Sequence, residues 1–238
     1  MRKYINFRFG FNLTEVLLTI GIIGIIASIT IPIIVHNYDE KERYSKVNKM
    51  YSILSGALER SVANGEDYSY YTIKNDSPGM LDFYNTYLKK YLTVMKVCEN
   101  QTEGCWNSNT TKTLKGTDFK YNHPGVSIGE GTMALVLNDG TFVQLDAYGD
   151  ANDFKTFFGV TKGSEPGMTI IFDINGEKNP NTIGKDIFAV LFLPEHGIVP
   201  AFYGASDSEI ASDCSKEGIG FACIQNYLQG EVTGDIPE

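Results

Sequence analysis

Histidine and tryptophan are scarce in this chain, with three His and one Trp in 238 residues. His36 follows the apolar N-terminal run, His123 lies in a polar stretch and His196 in a predicted turn, so the sequence does not gather them. No GxSxG, HExxH or glycine-rich phosphate loop is present, and the chain reads as a non-enzyme. Basic surface is also lacking: the formal net charge is −9. Nucleic acid is therefore not expected as a partner, because phosphate neutralisation needs a basic patch. Excess acid is the ordinary means of keeping a surface soluble.

Two local absences say more. Acid is missing from the first ten residues, which carry Arg2, Lys3 and Arg8, and charge of either sign is missing from Val16 to Val35. At about 1.5 Å rise per residue, that uncharged run spans the roughly 30 Å hydrocarbon core of a bilayer. The preceding positive charges put the N-terminus on the cytoplasmic side and the rest of the chain outside. A secretory signal would have a shorter apolar core ending in small residues, whereas this one ends in IPIIV. One ionisable group stands at the mouth of the run, Glu15. A carboxylate at the edge of hydrocarbon is costly unless paired, which marks it as functional.

The junction reads Gly10, Phe11, Asn12, Leu13, Thr14, Glu15, then Val16-Leu17-Leu18. It resembles the prepilin cleavage and methylation motif of type IV pilins and type II secretion pseudopilins. Asn12 and Thr14 stand where threonine or serine and isoleucine are more usual. The resemblance implies cleavage by a prepilin peptidase after Gly10 and methylation of the new N-terminal Phe11. It assigns Glu15 to pairing with a neighbouring subunit and matches Pro32 to the helix-softening proline. It further implies copies of the chain, other pilin-like subunits, an inner-membrane assembly platform and membrane lipid as partners. The location would be the bacterial inner membrane, single-pass, with the head in the periplasm or outside, and later a filament. A membrane-anchored extracytoplasmic ligand-binding module with an uncleaved helix is the alternative.

Past Pro32 the helix is predicted to continue, because Tyr44, Val47, Tyr51, Leu54, Leu58 and Val62 recur at three- and four-residue steps. Asn64-Gly65 supplies a stop. The organisation expected is a leader at 1–10, a transmembrane helix at 11–35, an amphipathic continuation at 36–65 and a globular head at 66–238. A second helix is expected over Met80–Val97, from Leu81, Tyr84, Leu88, Tyr91, Leu92 and Met95. Glu99–Pro124 reads as a loop. Strands are expected at Thr132–Leu137, Thr141–Ala147, Met168–Ile174, Asp186–Leu193 and Ile198–Tyr203, the first two joined by Asn138-Asp139-Gly140. The fold class is therefore α+β: a long helical spine, half of it transmembrane, with an antiparallel sheet of four or five strands laid on its outer half. That is also the pilin family's fold.

Four cysteines fall in the outer, oxidising part of the chain: Cys98, Cys105, Cys214 and Cys223. Three pairings are possible, and the short separations favour Cys98 with Cys105 and Cys214 with Cys223. A zinc site fits neither the spacing nor the histidines. The densest polar loop runs from Asp173 to Asp186, DINGEKNPNTIGKD. There Asp173, Asn175 and Asp186 could offer oxygens to calcium, or simply cap a turn. It is not an EF-hand, since no glutamate stands at the closing twelfth position of the loop. The stretch resembles a DxNGxKxPNxxGxDxF run of pseudopilin-like proteins.

Overall fold

The computed structural model describes residues 10, 12–99, 104–107, 110–119, 132–147, 157–163 and 167–230. The chain divides into two units, Met1–Glu42 and Arg43–Glu238, with the boundary inside the expected continuation 36–65.

Within the first unit, α1 (Leu13–Ala63, 51 residues) begins and carries the apolar run. Leu17, Ile23, Ile25, Ile29 and Ile34 are all more than half exposed. It is one helix long and apolar enough to cross a membrane. The hydroxyls of the run Val16–Val35 are satisfied inside the helix: Thr19 Oγ1 donates to the Val16 carbonyl (2.9 Å), Ser28 Oγ to Ile25 (2.7 Å) and Thr30 Oγ1 to Ile26 (3.0 Å). Such back-bonding removes the polar cost of these side chains in an apolar solvent.

In the second unit, α1 from Arg43 onward turns amphipathic and buries Val47, Met50, Leu54, Ala57, Leu58 and Ser61. The stripe runs as expected at Val47, Leu54 and Leu58, with Tyr44 and Tyr51 packed at its margin. It departs at Val62, which is 43% exposed. At 3.6 residues per turn the face drifts, and Ser61 takes the inward place, its hydroxyl donating to the Leu58 carbonyl at 2.7 Å. Gly65, at φ +90°, follows the helix where a left-handed residue lets the chain turn away.

The second helix is shorter than expected. α2 (Ser77–Phe83) starts from Asp76, whose carboxylate accepts from Gly79 N at 2.6 Å, and has Pro78 in its first turn. It passes into a π-turn at Tyr84–Leu88. The Met80–Val97 expectation is corrected beyond that point, because β1 (Val94–Glu99) is a strand. The helical spacing runs on to Met95, but Thr93, Val94 and Val97 are β-branched, and β1 finds its backbone partners on β2, Cys98 facing Ala134.

Among the described residues, six antiparallel strands follow one another in space as in sequence: β1, β2 (Thr132–Leu137), β3 (Phe142–Ala147), β4 (Met168–Asp173), β5 (Ile187–Leu193) and β6 (Gly197–Pro200). The expected strand at Ile198–Tyr203 is shorter, since Phe202 adopts φ +61° and the chain turns. Each sheet face has its own cover. On one face the row Leu135, Val143, Phe172, Phe188 runs across β2 to β5. Phe188 there meets Tyr227 of the helix Cys223–Gln229 (5.1 Å between ring centroids), and Phe192 meets Phe83 of α2 at 4.8 Å. On the other face Ile171 and Ile187 lie under Trp106, Phe119 and Phe221. β4 and β5 are consequently buried at every residue, which accounts for their unbroken apolar runs MTIIFD and IFAVLFL. The molecule is thus α+β, with a long apolar N-terminal helix and a six-stranded antiparallel sheet.

Two disulfides pin the outer segments. Cys98 pairs with Cys105 and Cys214 with Cys223, as the separations favoured. Cys214 follows α3 (Asp207–Asp213), which starts at a capping box of Ser206 and Glu209, and Cys223 opens α4 (Cys223–Gln229). Asp213 closes this second loop by accepting from the backbone N–H groups of Ile219, Gly220 and Ala222, the last at 2.7 Å.

Candidate functional site

Two groups of residues carry the chemistry expected from sequence, and they belong to different units. The first is the start of α1. Gly10 is exposed, and Phe11 lies outside the described residues. Glu15 sits in the first turn, and its Oε2 accepts from Asn12 N at 3.2 Å. Asn12 Oδ1 in turn accepts from Thr14 N at 3.3 Å. Asn12 and Glu15 together thus cap the helix, the carboxylate reaching back to the capping residue's own N–H. Spacing alone would have shown this, since an Asn three residues before a Glu at the head of an apolar run is a capping signature. Glu15 therefore has a local use besides any contact with a neighbour, and a functional test has to separate the two. Pro32 lies inside the helix, where its ring removes one backbone donor and leaves the Ser28 carbonyl without its usual partner.

The second group is the loop between β4 and β5. Asp173, Asn175 and Asp186 are brought together there. Asp173 is fully buried, and its Oδ1 accepts from Asn175 N (3.0 Å) and Gly176 N (2.9 Å). Asp186 accepts from Thr182 N (2.6 Å) on Oδ1, and from Asn181 N (2.6 Å) and Asn175 Nδ2 (2.9 Å) on Oδ2. Gly176, at φ +62°, passes so close to the β2–β3 turn that a Cβ there would lie 2.5 Å from the Gly140 carbonyl oxygen. Asn107 Nδ2 donates to the Gly176 carbonyl at 3.0 Å and ties the loop to the segment after the first disulfide.

Burial raises the Asp173 pKa to about 8, with the nearby Asp186 carboxylate adding to the shift and the two backbone N–H donors opposing it. Burial also raises Asp186, against the pull of its own hydrogen bonds from Thr182, Asn181 and Asn175. Asp173 Oδ2 and Asn175 Oδ1 are buried without a hydrogen-bond partner. Of the side-chain oxygens of Asp173, Asn175 and Asp186, these are the two a cation could take without displacing a loop hydrogen bond, whereas calcium draws on six to eight. Among the described residues no group of three or more His, Cys, Asp or Glu side chains is placed to hold a metal ion. The geometry is that of a loop capped by its own side chains.

The histidines remain dispersed. His36 Nε2 lies 3.7 Å from Glu40 Oε1 one turn along α1, His196 lies beside the Tyr203 ring at 5.8 Å, and His123 is outside the described residues. No family model matches the chain, and neither a curated protein nor a solved structure matches it.

Proposed function

We propose that this chain is a pilin-like structural subunit, cleaved after Gly10, methylated at Phe11 and assembled into a filament of the type IV pilus or type II secretion pseudopilus kind. The observation that carries the reading is one carboxylate, Glu15, at the threshold of an uncharged helical run, Val16–Val35, whose apolar side chains are exposed. A plain tether needs no such group, and placing one beside hydrocarbon is unfavourable. Removal of the leader would give Phe11 a free ammonium, and the Glu15 of an adjacent copy would neutralise it among packed apolar helices. The contact sets register, while transfer of Val16–Val35 from lipid to an equally apolar filament interior changes little on the hydrophobic account. Prepilin peptidase, the inner-membrane assembly platform and other pilin-like subunits are the partners this reading requires. The protein itself catalyses nothing.

The capping contact dictates how the reading is tested. Glu15→Gln keeps an acceptor for Asn12 N–H and removes the charge, whereas Glu15→Ala removes both. Both variants are expected to be processed normally and to lose filament yield by about a hundredfold or more, the scale of a broken desolvated ion pair. Filaments counted after shearing and immunoblotting provide the readout. Normal filaments from Glu15→Gln would reduce the residue to a helix cap.

A further inference from the structure

The loop that joins α3 to α4 is closed twice, side by side. The Cys214–Cys223 disulfide bridges its ends. One residue back at each end, Asp213 Oδ2 accepts from Ala222 N at 2.7 Å, so residue 213 is tied to 222 as 214 is tied to 223. The same carboxylate takes Gly220 N on Oδ2 and Ile219 N on Oδ1, each at 3.2 Å.

Backbone contacts shape the rest of the loop. Cys214 is held at the end of α3 by its own N–H, which donates to the Ile210 carbonyl at 2.9 Å. From outside, Leu114 N donates to the Ile219 carbonyl at 3.0 Å and Lys115 N to the Gly218 carbonyl at 3.2 Å. Gly218 itself packs directly on the Asp213 carbonyl, where a Cβ has no room. Ala222 stands next to Cys223, so the carboxylate that holds Ala222 also sets where the second sulfur lies.

Asp213 is half-buried, and burial raises its pKa against the pull of its backbone donors. A carboxylate withdrawn from water depends on such donors, and hydrogen bonds to a charged group are the stronger kind. Two closures of one loop share one entropic cost, so each favours the other by the same factor.

We propose that Asp213 is the positioning residue for formation of the Cys214–Cys223 disulfide, its carboxylate gathering the loop before the sulfur–sulfur bond closes. In that step one cysteine thiolate attacks a soluble disulfide oxidant and expels a thiolate; the other cysteine thiolate then attacks the mixed disulfide and expels the second. Two cysteine thiols are thereby oxidised by two electrons, one disulfide is reduced to two thiols, and the protons balance through solvent. Asp213 exchanges no electron; it raises the effective concentration of one sulfur at the other. The inference concerns the head alone and does not rest on the filament reading.

The test uses the full-length protein in detergent, equilibrated in buffers of reduced and oxidised dithiothreitol, quenched, alkylated and read by peptide mass so that the two disulfides are followed separately. Asp213→Asn is expected to lower the equilibrium constant for Cys214–Cys223 by about tenfold, the scale of one charge-assisted hydrogen bond and equivalent to about 30 mV. Cys98–Cys105 is expected to stay as it was, and Asp213→Glu, which keeps the charge, to lose less than Asp213→Asn. An unchanged constant for Cys214–Cys223, or an equal fall in both pairs, overturns the assignment. A second measurement removes the disulfide: in the Cys214→Ser, Cys223→Ser chain, the amides of Gly220 and Ala222 are expected to stay protected from hydrogen exchange, and to exchange about tenfold faster when Asp213→Asn is added. Loss of their protection in the serine chain while Asp213 is intact would show that the disulfide organises the carboxylate's donors, and would overturn the proposal.

Discussion

One helix serves two solvents. From Val16 to Val35 the surface of α1 is uncharged on every side and exposed, and past Arg43 the same backbone buries one stripe and offers charge on the other. Leu17 and Leu54 are the same residue type on the same helix, yet Leu17 is 63% exposed and Leu54 is fully buried. A uniform apolar surface has to be matched by an apolar surrounding, whether lipid or packed helices, whereas a stripe is matched by one protein core. The difference shows that helix length says little about role, and that the pattern around the helix decides it.

That comparison can be broken by truncation in each part. Leu54→Ala leaves a cavity among Val47, Met50, Leu58 and the sheet core, and is expected to destabilise the head by about 3–4 kcal/mol. Denaturant unfolding of the full chain in detergent, followed through the fluorescence of Trp106, measures this; the residue is the only tryptophan and is 3% exposed. A loss under about 1 kcal/mol would show that the stripe does not hold the head together.

A second expected effect belongs to the head alone. Asp146, on β3, is pushed up to about 7 by burial, with the Thr132 hydroxyl at 3.1 Å pulling the other way. The folded-state pKa is above the unfolded value, so the unfolded chain gives up its proton first as pH rises. Stability is therefore greatest below about pH 4 for this group, and falls as pH rises towards 7 by an amount on the order of 3 kcal/mol. Asp146→Asn is expected to flatten that part of the stability profile. An unchanged slope between pH 4 and 7 would place the titration elsewhere. The smallest effects sharpen the comparison: Ile25→Ala and Val62→Ser, both at exposed positions, are expected to change head stability by no more than about 0.5 kcal/mol. A larger change from Val62→Ser would mean that its face of α1 is packed after all.

Much of this was legible because it is local. The uncharged run, the 47–54–58 stripe, the Asn138–Gly140 hairpin and both cysteine pairs are decided by neighbours within a few residues. β1 was hidden because a helical spacing persists to Met95, within the strand, while its partner β2 lies beyond a long intervening segment. Gln144 and Asp146 occupy the polar places in FVQLDA and read as solvent-facing, yet Gln144 is 1% exposed. Distant segments around Trp106, Phe119 and Phe221 cover that sheet face, and no alternation within β3 can announce them. In the loop, the three residues singled out from sequence do come together, but their hydrogen bonds run mostly to the loop's own backbone. At the start of α1 the acid was evident and its capping bond to Asn12 was not, although the spacing contained it.

The central claim, that α1 is a processed assembly helix and not a tether, is tested most directly by the intact mass and N-terminal sequence of the protein from membranes of a cell with an active prepilin peptidase. The account predicts a chain that begins at methylated Phe11. A chain that still carries Met1–Gly10 in such a cell would contradict it.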